Sequence, residues 1–422
     1  MCPPYPRDAP LPSVRQPTPA GKRAAGLSDT VARVILAALA GVVALAWARA
    51  LWVTVVDWGA APGLTGALPL PGADARLVSV VVPARNEAAN IERCVRSLLA
   101  QRWPRLAVIA VDDASEDATG EILARLAAGD ARLSVVSAGA LPAGWLGKNH
   151  ACAVGAARAR GELVLFTDAD SVHAPDCLAR AVAALDRLGG DLLTLVPAIV
   201  CVGIAEKLLQ PAILGLLFTL DGPRALNEDR ARFPLANGQY LLFRRAAYDR
   251  VGGHAAVKDR VLDDLALAKA TLAAGLKVRL AHAPDDLRVR MYTSFAELWW
   301  GYAKSNAAAP AMFLGLEGTP LRRAAAVALG AFTSLWILAQ GLAPVLLLGQ
   351  GGVTRILAAA GLALSLATRA VQNRRLFGLS AAWALTLPLG HAVSACINAH
   401  SVWRLATNAG PRWKGRTYAS AR

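Results

Sequence analysis

The sequence predicts an α/β domain with a mainly parallel sheet, placed between an N-terminal transmembrane helix and a C-terminal hydrophobic helical bundle. Short β-rich runs alternate with stretches of helical period between residues 76 and 290, as expected for βαβ units. An apolar run from Val34 to Val56 is interrupted only by Arg49, and uncharged runs of 25 and 26 residues occupy Ala324–Leu348 and Phe377–Val402. Each of these runs is long enough to span a bilayer.

Composition and charge favour a membrane protein. Hydrophobic residues make up 55% of the 422 residues, and the net charge is +15. In an apolar chain, a basic excess is typical of segments that flank the membrane on its cytoplasmic side. Nucleic-acid binding is the competing reading, but the chain has no basic–aromatic cluster or known nucleic-acid motif, so no nucleic-acid partner is expected. The six cysteines form no CxxC pair, which indicates neither a zinc site nor a disulfide framework.

The N-terminal region divides into a tail and an anchor. Residues 1–33 are proline-rich and basic and are expected to be disordered. Residues 34–57 are expected to form a transmembrane anchor, with Arg49 extending toward the interface. A cleavable signal peptide is the alternative, since "AWARA" offers small residues at alternate positions. The leader before the apolar run is long for a signal peptide, which favours the retained anchor.

The α/β domain is predicted over residues 75–310. Ligands of parallel sheets bind beyond the carboxyl ends of the strands, so the strand ends are the places to search for a site. The predicted strands are Val78–Val82, Leu106–Val111, Leu133–Val136 and Leu163–Phe166, and the first two predicted helices are Glu87–Gln101 and Asp117–Ala128.

Two further segments of the domain have the composition of membrane-surface helices. The stretch 203–220 is apolar with three polar residues near its start, so an interfacial helix and a buried core helix are both open. The stretch 295–305 is rich in tryptophan and is also predicted to be interfacial. Two to three transmembrane helices are expected over 322–404, because the middle apolar run, Ile356–Thr368, has only 13 residues and is marginal. Residues 405–422 form a basic tail.

Acidic residues follow three of the four predicted strands. Asp168 and Asp170 end the stretch "ELVLFTDADS", Glu87 follows the first strand, and Asp112 and Asp113 follow the second. In an extended segment Asp168 and Asp170 would point the same way, and two such carboxylates repel unless a cation lies near them. A single DxD pattern is more often a solvated loop, and each acid alone suits a helix N-terminus. Together they predict a site for a hard divalent cation whose shell a diphosphate completes.

These residues lie in segments that resemble glycosyltransferase family 2, the inverting nucleotide-sugar enzymes of GT-A fold. The resemblance rests on "VSVVVPARNEAANIERCVRSLLAQ" (78–101), "VDDASEDAT" (111–119), "GWLGKNHA" (144–151), "FTDAD" (166–170) and "VLDD" (261–264). Two longer segments, at 236–264 and 290–305, and "RWKGRTY" at 412–418 are similar to a narrower membrane-bound branch. That branch includes hopanoid-associated and carotenoid-acid glycosyltransferases and, more distantly, ceramide glucosyltransferase.

The resemblance implies a role for each matching residue. Asp170 would bind Mg²⁺ or Mn²⁺, and Asp264 would be the general base. Asp263 stands where family members often have Glu, which puts its catalytic role in doubt. The plainer interpretation of Asp263 and Asp264 is helix N-capping. The plainer interpretation of Lys148 is a solvated lysine. The residues expected to bind the nucleotide sugar are Pro83, Glu87, Asp112, Asp113, Lys148 and Asp168.

An acceptor side is expected between the sheet and the membrane. Its basic and aromatic residues also suit an interfacial belt that anchors a surface helix, and both roles are compatible with an acceptor that enters from the membrane. The candidate residues are Gln239, Arg290, Trp299, Trp300 and Lys304.

The resemblance thus implies an inverting transfer of one sugar from a nucleotide diphosphate sugar, with UDP-sugar expected, to a membrane lipid such as a carotenoid or hopanoid. A processive polysaccharide synthase is the first alternative, but the QxxRW sequence usual in those enzymes appears here only as "QNRRL", without the tryptophan. A non-enzymatic transporter or scaffold would explain the apolar helices and leave the acids at the strand ends unexplained. No obligate protein partner is indicated.

The expected location is the inner cell membrane, with several spans and a cytoplasmic catalytic domain, because nucleotide sugars are cytosolic. Both tails are basic, and basic segments prefer the cytoplasm. One anchor before the domain and three full spans after it would place both tails outside. At least one apolar segment is therefore expected not to cross fully.

Overall fold

A computed structural model describes residues 19–64, 72, 74–220, 222–229, 235–306, 312, 314–316, 319–407, 409, 412–413 and 416–417. Its strands are β1 Val78–Ala84, β2 Leu106–Asp112, β3 Leu133–Ser137, β4 Leu163–Phe166, β5 Ser171–His173, β6 Leu192–Ile199, β7 Leu241–Arg244, β8 Val278–Val289, β9 Arg412–Trp413 and β10 Arg416–Thr417. Its longer helices are α1 Pro19–Trp52, α2 Ile91–Leu99, α3 Thr119–Gly129, α4 Gly147–Arg158, α5 Cys177–Arg187, α6 Ile204–Leu217, α7 Pro223–Asn227, α8 Arg245–Arg250, α9 Asp263–Ala273, α10 Phe295–Ala303, α11 Pro320–Leu346, α12 Gly352–Leu376 and α13 Leu387–Ala406.

The centre of the domain is an eight-stranded mixed sheet in the order β3-β2-β1-β4-β7-β6-β8-β5. The first half is parallel, with β1 paired to both β2 and β4, while β7 is antiparallel to both of its neighbours. All four strands predicted from the sequence are present. The apolar runs that predicted them become strands because helices cover both faces of a parallel sheet, and every residue of β1 is buried.

Helix α4 packs tightly against the parallel half of the sheet. At Gly155 an added Cβ would stand only 2.4 Å from the Val81 side chain and 3.0 Å from the Val111 side chain. The missing side chain lets the helix backbone approach strands β1 and β2 closely. This contact fixes the start of α4, which carries Lys148, above the ends of the strands.

Three helices among the described residues are long and apolar enough to cross a membrane. They correspond to α1, α11 and α12, with the candidate spans beginning at Asp29, Pro320 and Gly352. Helix α1 already begins at Pro19, so residues 19–33, expected from their composition to be disordered, form its first turns. Residues 1–18 of the expected tail lie outside the described residues.

The C-terminal apolar runs differ from the sequence expectation. The marginal run Ile356–Thr368 lies inside the 25-residue helix α12, which continues through polar residues at both ends. The 26-residue run Phe377–Val402 is divided by a 3₁₀ segment, Ala381–Thr386, before α13 begins. Uncharged length alone was misleading, because polar residues extend this helix past its apolar centre. Arg355 donates to the Leu348 and Gln350 carbonyls, and Gln372 donates to Thr54 and Gly215. Most of the basic tail after 405 lies outside the described residues.

The two predicted surface helices are present as α6 and α10. Helix α6 combines both readings of the sequence, because Leu209 and Gln210 are fully buried while Ile204 is 76% exposed. Ser294 is the N-cap of helix α10, and its hydroxyl accepts a hydrogen bond from the Glu297 amide. Both helices pack against α13, and α6 also packs directly on α12.

Candidate active site

The loops after β1 and β2 are joined to each other at the carboxyl edge of the sheet. The Asn86 amide donates to the Ser115 hydroxyl, and the Glu116 amide donates to the Asn86 side chain. Arg85 donates to the carbonyls of Asp113 and Ala114. Asn86 and Ala114 both have φ of 52°, a left-handed conformation that is costly for alanine. The hydrogen bonds hold both loops in this strained form, as is common at ligand sites.

The three acids predicted at these two strand ends are all at the same edge. The Glu87 carboxylate accepts a hydrogen bond from Asn90, and its backbone amide donates to the Thr119 hydroxyl. Asp112 accepts from the amide and hydroxyl of Ser115, and Asp113 is 1% exposed. The sequence expectation that the strand ends bring these acids together therefore holds geometrically. Pro83 is buried within β1, opposite Val111.

Asp168 and Asp170 lie on a turn and not on an extended segment. Strand β4 ends at Phe166, and the Ser171 amide returns to the Asp168 carbonyl over 3.2 Å. The expectation that period-two alternation aligns the two side chains was therefore wrong. The Thr167 hydroxyl donates to the Gln239 carbonyl and contacts His173, which draws the chain out of the sheet immediately after β4.

Lys148 links two parts of the site. Its ammonium lies 2.9 Å from the Asp168 carboxylate and 3.6 Å from that of Asp263. Burial acts to lower the pKa of Lys148, but attraction to Asp168 and Asp263 outweighs burial and places it well above the usual range. The lysine is therefore a fixed cation between the strand β4 turn and the start of α9. A solvated lysine, the plainer reading of the sequence, is excluded by these contacts.

Asp264 occupies the first turn of α9 and faces the loop before β7. Its carboxylate accepts hydrogen bonds from the Gly238 amide at 2.9 Å and from the Leu265 amide at 2.8 Å. Burial and then the neighbouring Asp263 raise the pKa of Asp264 to about 6, against the opposing effect of Lys148. A carboxylate with this pKa is ionised at neutral pH and basic enough to accept a proton.

Asp263 has a different environment from its neighbour. It is 4% exposed, and its two oxygens face Lys148 and the buried ring of His254, the latter at 3.8 Å. Burial lowers the pKa of His254 to about 3, so its ring is neutral at physiological pH. These contacts suit a side chain that positions Lys148 better than one that meets a substrate.

Two of the residues expected on the acceptor side make internal contacts. Gln239 is 5% exposed, and its side-chain oxygen accepts from Asn237. Arg290 forms a two-point ion pair with Glu206, at 3.1 and 2.9 Å. Glu206 also accepts from the amides at the start of α6. Arg290 therefore connects the end of β8 to helix α6.

The tryptophans of α10 contact helix α13. Trp299 donates its indole N–H to His400 at 2.8 Å, and the Trp300 ring centroid lies 5.0 Å from that of His400. Trp300 remains 49% exposed, and Arg404 lies over its ring at 5.6 Å. The aromatic and basic groups thus extend from α10 onto α13. Lys304 directly follows α10. This arrangement fits the interfacial-belt reading and leaves an exposed aromatic surface beside the sheet edge.

Tyr292 is a residue that the sequence reasoning did not single out. Its ring packs against the Tyr302 ring at 5.3 Å and against the backbone of α10, where a Cβ on Gly301 would meet it at 2.4 Å. Burial, followed by the negative charges of Asp170 and Asp168, raises the pKa of Tyr292 above its usual range. The tyrosine therefore stands between the acidic turn and the surface helices. Its place within "RMYTSFAELWWGYAKS" was the available signal.

We expect Gly301→Ala to lower kcat/KM by about one to two orders of magnitude, because the new methyl group displaces Tyr292 from a position facing the acidic turn. Steady-state kinetics and the melting temperature measure the effect. Gly129→Ala in α3 is the matched control, since a methyl there meets nothing within 4 Å. It should keep full activity. An unchanged kcat/KM in Gly301→Ala would show that the position of Tyr292 does not matter.

The turn that holds Asp168 and Asp170 is chemically suited to a divalent cation. One oxygen of Asp170, Oδ1, is buried and has no hydrogen-bond partner among the described residues. Burial and then Asp168 and Glu87 raise the pKa of Asp170 to about 8, so the carboxylate lacks a positive neighbour strong enough to keep it ionised. Within the described part of the chain, no three His, Cys, Asp or Glu side chains gather as a complete metal site. Phosphate oxygens of a ligand would have to supply the remaining bonds.

This edge of the sheet is where comparison with known proteins is informative. Residues 79–252 match the family model described as glycosyl transferase family 2. The matched segment spans under half of the chain and includes the acids that follow β1, β2 and β4 together with Lys148. The match confirms the family resemblance seen in the sequence of this segment.

Curated relatives that this chain is similar to include two staphylococcal proteins. The 4,4'-diaponeurosporenoate glycosyltransferase of Staphylococcus haemolyticus (strain JCSC1435) is 26% identical over 238 residues, or 55% of this chain and 62% of the relative. The protein of the same name from Staphylococcus aureus (strain MRSA252) is 26% identical over 269 residues, or 62% of this chain and 67% of the relative. The alignment to the first thus spans less than two thirds of that relative's length.

Among solved structures, this chain is similar to a mannosyltransferase from Pyrobaculum calidifontis in complex with GDP-Man and Mn²⁺. The two share 22% sequence identity with a TM-score of 0.55, over 86% of this chain and 98% of the other. At this identity the similarity establishes the fold. It confirms the predicted GT-A architecture with attached helices.

Proposed function

We propose that this glycosyltransferase moves one sugar from a UDP-sugar to an apolar membrane lipid, with inversion at the anomeric carbon. The observation that carries the proposal is the arrangement around Lys148. The lysine connects the acidic turn at Asp168 to the first turn of α9, which also carries Asp264. A Cβ on Gly238 would stand 3.0 Å from the Lys148 ammonium and 3.5 Å from the Asp264 carboxylate, so a cation suited to the donor and a basic carboxylate flank the same glycine.

The nucleotide sugar would bind at the joined loops of β1 and β2. Glu87, Asp112 and Asp113 provide acceptors for the base and ribose hydroxyls, and Asp168 lies next to them on the turn. The ammonium of Lys148 would meet the diphosphate. Asp170, with Asp168, would hold Mg²⁺ or Mn²⁺, which when bound neutralises charge on the departing diphosphate.

Transfer then requires a proton to leave the acceptor. The acceptor oxygen attacks the anomeric carbon while the bond from that carbon to the diphosphate oxygen breaks, and a nucleoside diphosphate departs. A single displacement of this kind inverts the anomeric centre. The Asp264 carboxylate accepts the proton of an attacking hydroxyl. An acceptor carboxylic acid is already ionised near pH 7 and needs this help less.

An apolar lipid is the acceptor that best fits the surroundings of the site. Helices α6 and α10 connect the sheet edge to α13 and so to the apolar helices, and Trp300 and Phe295 are about half exposed there. A lipid in the bilayer could meet the site at this surface. The names of the curated relatives refer to a carotenoid acid. Carotenoid or hopanoid acceptors are therefore placed ahead of ceramide-like ones.

We further propose three spans with a cytoplasmic catalytic domain. Helices α1 and α12 run parallel, since Gly41 lies near Leu357 and Gln372 donates to Thr54. The chain must therefore cross in α11 before it returns in α12. Helix α13 contacts α6 through Gly390 and α10 through His400, so it lies along the membrane face of the domain. The basic C-terminal tail then stays cytoplasmic, as its charge favours.

We expect expression of the full chain in a host that makes carotenoids or hopanoids to yield a lipid carrying one added sugar. Mass spectrometry of lipid extracts detects the product, and an Asp264→Asn chain expressed at the same level is the matched control. A product with several linked sugars, or a labelled water-soluble polymer without glycolipid, would refute single transfer to a lipid.

A further inference from the structure

A buried arginine lies at the junction between the apolar helices and the catalytic domain. Arg369, in α12, is 2% exposed, and neither Nη1 nor Nη2 has a hydrogen-bond partner among the described residues. No described carboxylate forms an ion pair with it either; the one acid of α6, Glu206, is paired with Arg290. A buried guanidinium without a counter-charge is strongly unfavourable, so the site as described is incomplete.

The residues one turn further along α12 also have polar side-chain atoms without a partner among the described residues. Gln372 and Asn373 are both fully buried, and the side-chain oxygen of Gln372 and both amide atoms of Asn373 have no partner within the described chain. Positions three and four residues after Arg369 lie on the same face of a helix. We call Arg369, Gln372 and Asn373 the Arg369 cluster. Its unpaired polar atoms are an independent sign that a polar ligand belongs here.

Helix α6 is shaped to accommodate the cluster. A Cβ on Gly215 would stand 2.1 Å from Nη1 of Arg369 and 2.6 Å from the side-chain oxygen of Gln372. The Gln372 amide nitrogen donates to the Gly215 carbonyl and to the Thr54 hydroxyl of the segment after α1, both at 3.1 Å. Helix α6 and the segment after α1 therefore fix Gln372, whose oxygen lies beside the same glycine as the guanidinium. The two terminal nitrogens of Arg369 remain available.

We propose that the Arg369 cluster binds an oxyanion and that the phosphate of an anionic phospholipid supplies it. A guanidinium with two free nitrogens binds a phosphate through two parallel hydrogen bonds, and the Asn373 amide can give a third. Arg374 and Arg375, both exposed, mark the end of α12, and Arg369 lies about 8 Å deeper along the helix axis. This depth is close to the level of lipid headgroups, and the cytoplasmic leaflet is rich in anionic lipids.

The site is tested with the full chain in nanodiscs of phosphatidylcholine, with or without phosphatidylglycerol. Native mass spectrometry counts retained lipids, and thermal unfolding measures stabilisation. The wild-type chain should retain phosphatidylglycerol and melt at a higher temperature when it is present. Arg369→Met should lower the retained fraction at least about tenfold, the scale of losing charged hydrogen bonds, and abolish the temperature shift.

A matched variant and a second probe separate the explanations. Arg374→Met removes an exposed charge from the same helix end and should keep both effects. Inorganic phosphate added in neutral detergent tests a free anion as the source; stabilisation by phosphate alone would support the oxyanion site and exclude the lipid. If neither probe stabilises or binds the wild-type chain, or if Arg374→Met behaves as Arg369→Met does, the proposal is overturned. Both wild-type measurements hold even where Arg369→Met does not fold.

Discussion

Asp170→Asn should reduce sugar transfer at least about a hundredfold while the protein stays folded. The substitution keeps the size of the side chain but removes the charge that a divalent cation requires, and cation stabilisation of a departing diphosphate is worth several kcal/mol. The unpaired Oδ1 atom of Asp170 is the structural basis of this expectation. Initial rates across a series of Mg²⁺ and Mn²⁺ concentrations measure the effect, together with the melting temperature.

The control for this variant is Asp249→Asn, which alters an exposed carboxylate that pairs with Arg245 on the surface. Exposed pairs contribute little to stability, so this variant should keep both its rate and its metal dependence. The metal hypothesis fails if Asp170→Asn retains near-normal turnover, or if the wild-type enzyme keeps full activity in excess chelator.

The parallel half of the sheet could be predicted because its signals are local. Each strand from β1 to β4 is an apolar run, and the acids that follow the strands come to one edge whenever the sheet is parallel. The conformation of the acidic turn could not be read in the same way. It depends on a hydrogen bond from Thr167 to the Gln239 carbonyl, 72 residues away, which no local periodicity encodes.

The partners of the site residues were equally hidden from the sequence. Lys148 was identified from a glycine-rich segment, but its contact partner Asp263 follows four further strands, β4 to β7, along the chain. Arg290 was predicted to lie on the acceptor side, but its guanidinium forms an ion pair with Glu206, 84 residues earlier in the chain. Long-range pairing decides whether a polar residue meets a ligand or holds two elements together, and pairing follows from topology.

The apolar helices illustrate the limit of hydropathy. The sequence predicted Ile356–Thr368 to be marginal as a span, because the charged residues Arg355 and Arg369 flank it. In the structure Arg355 donates to the carbonyls of Leu348 and Gln350 at the helix start, while Arg369 is enclosed by neighbouring helices. Charged residues can therefore belong to a long apolar helix where they find carbonyls or a polar cluster.

Asp264→Asn should slow transfer to a hydroxyl acceptor at least about a hundredfold and leave UDP-sugar binding intact. The amide retains the volume of the side chain, and its single oxygen can accept from one of the two amides, Gly238 or Leu265, but it cannot take the proton of the attacking hydroxyl. Single-turnover rates at saturating donor measure the chemical step, and calorimetry measures donor binding. Asp259→Asn, an exposed acid four residues from the start of α9, is the control and should behave as wild type.

The pH dependence of the transfer rate is a second, independent test of Asp264 as the general base. Because its pKa is raised to about 6, the carboxylate is ionised above that pH and takes up a proton below it. The wild-type rate with a hydroxyl acceptor should therefore fall about tenfold per pH unit below about 6, and Asp264→Asn should lack this acid limb. A carboxylic-acid acceptor should show a smaller loss in the variant, since its own oxygen is already ionised. If donor binding is lost in Asp264→Asn while the saturated rate and its acid limb survive, Asp264 binds the nucleotide and the base lies elsewhere.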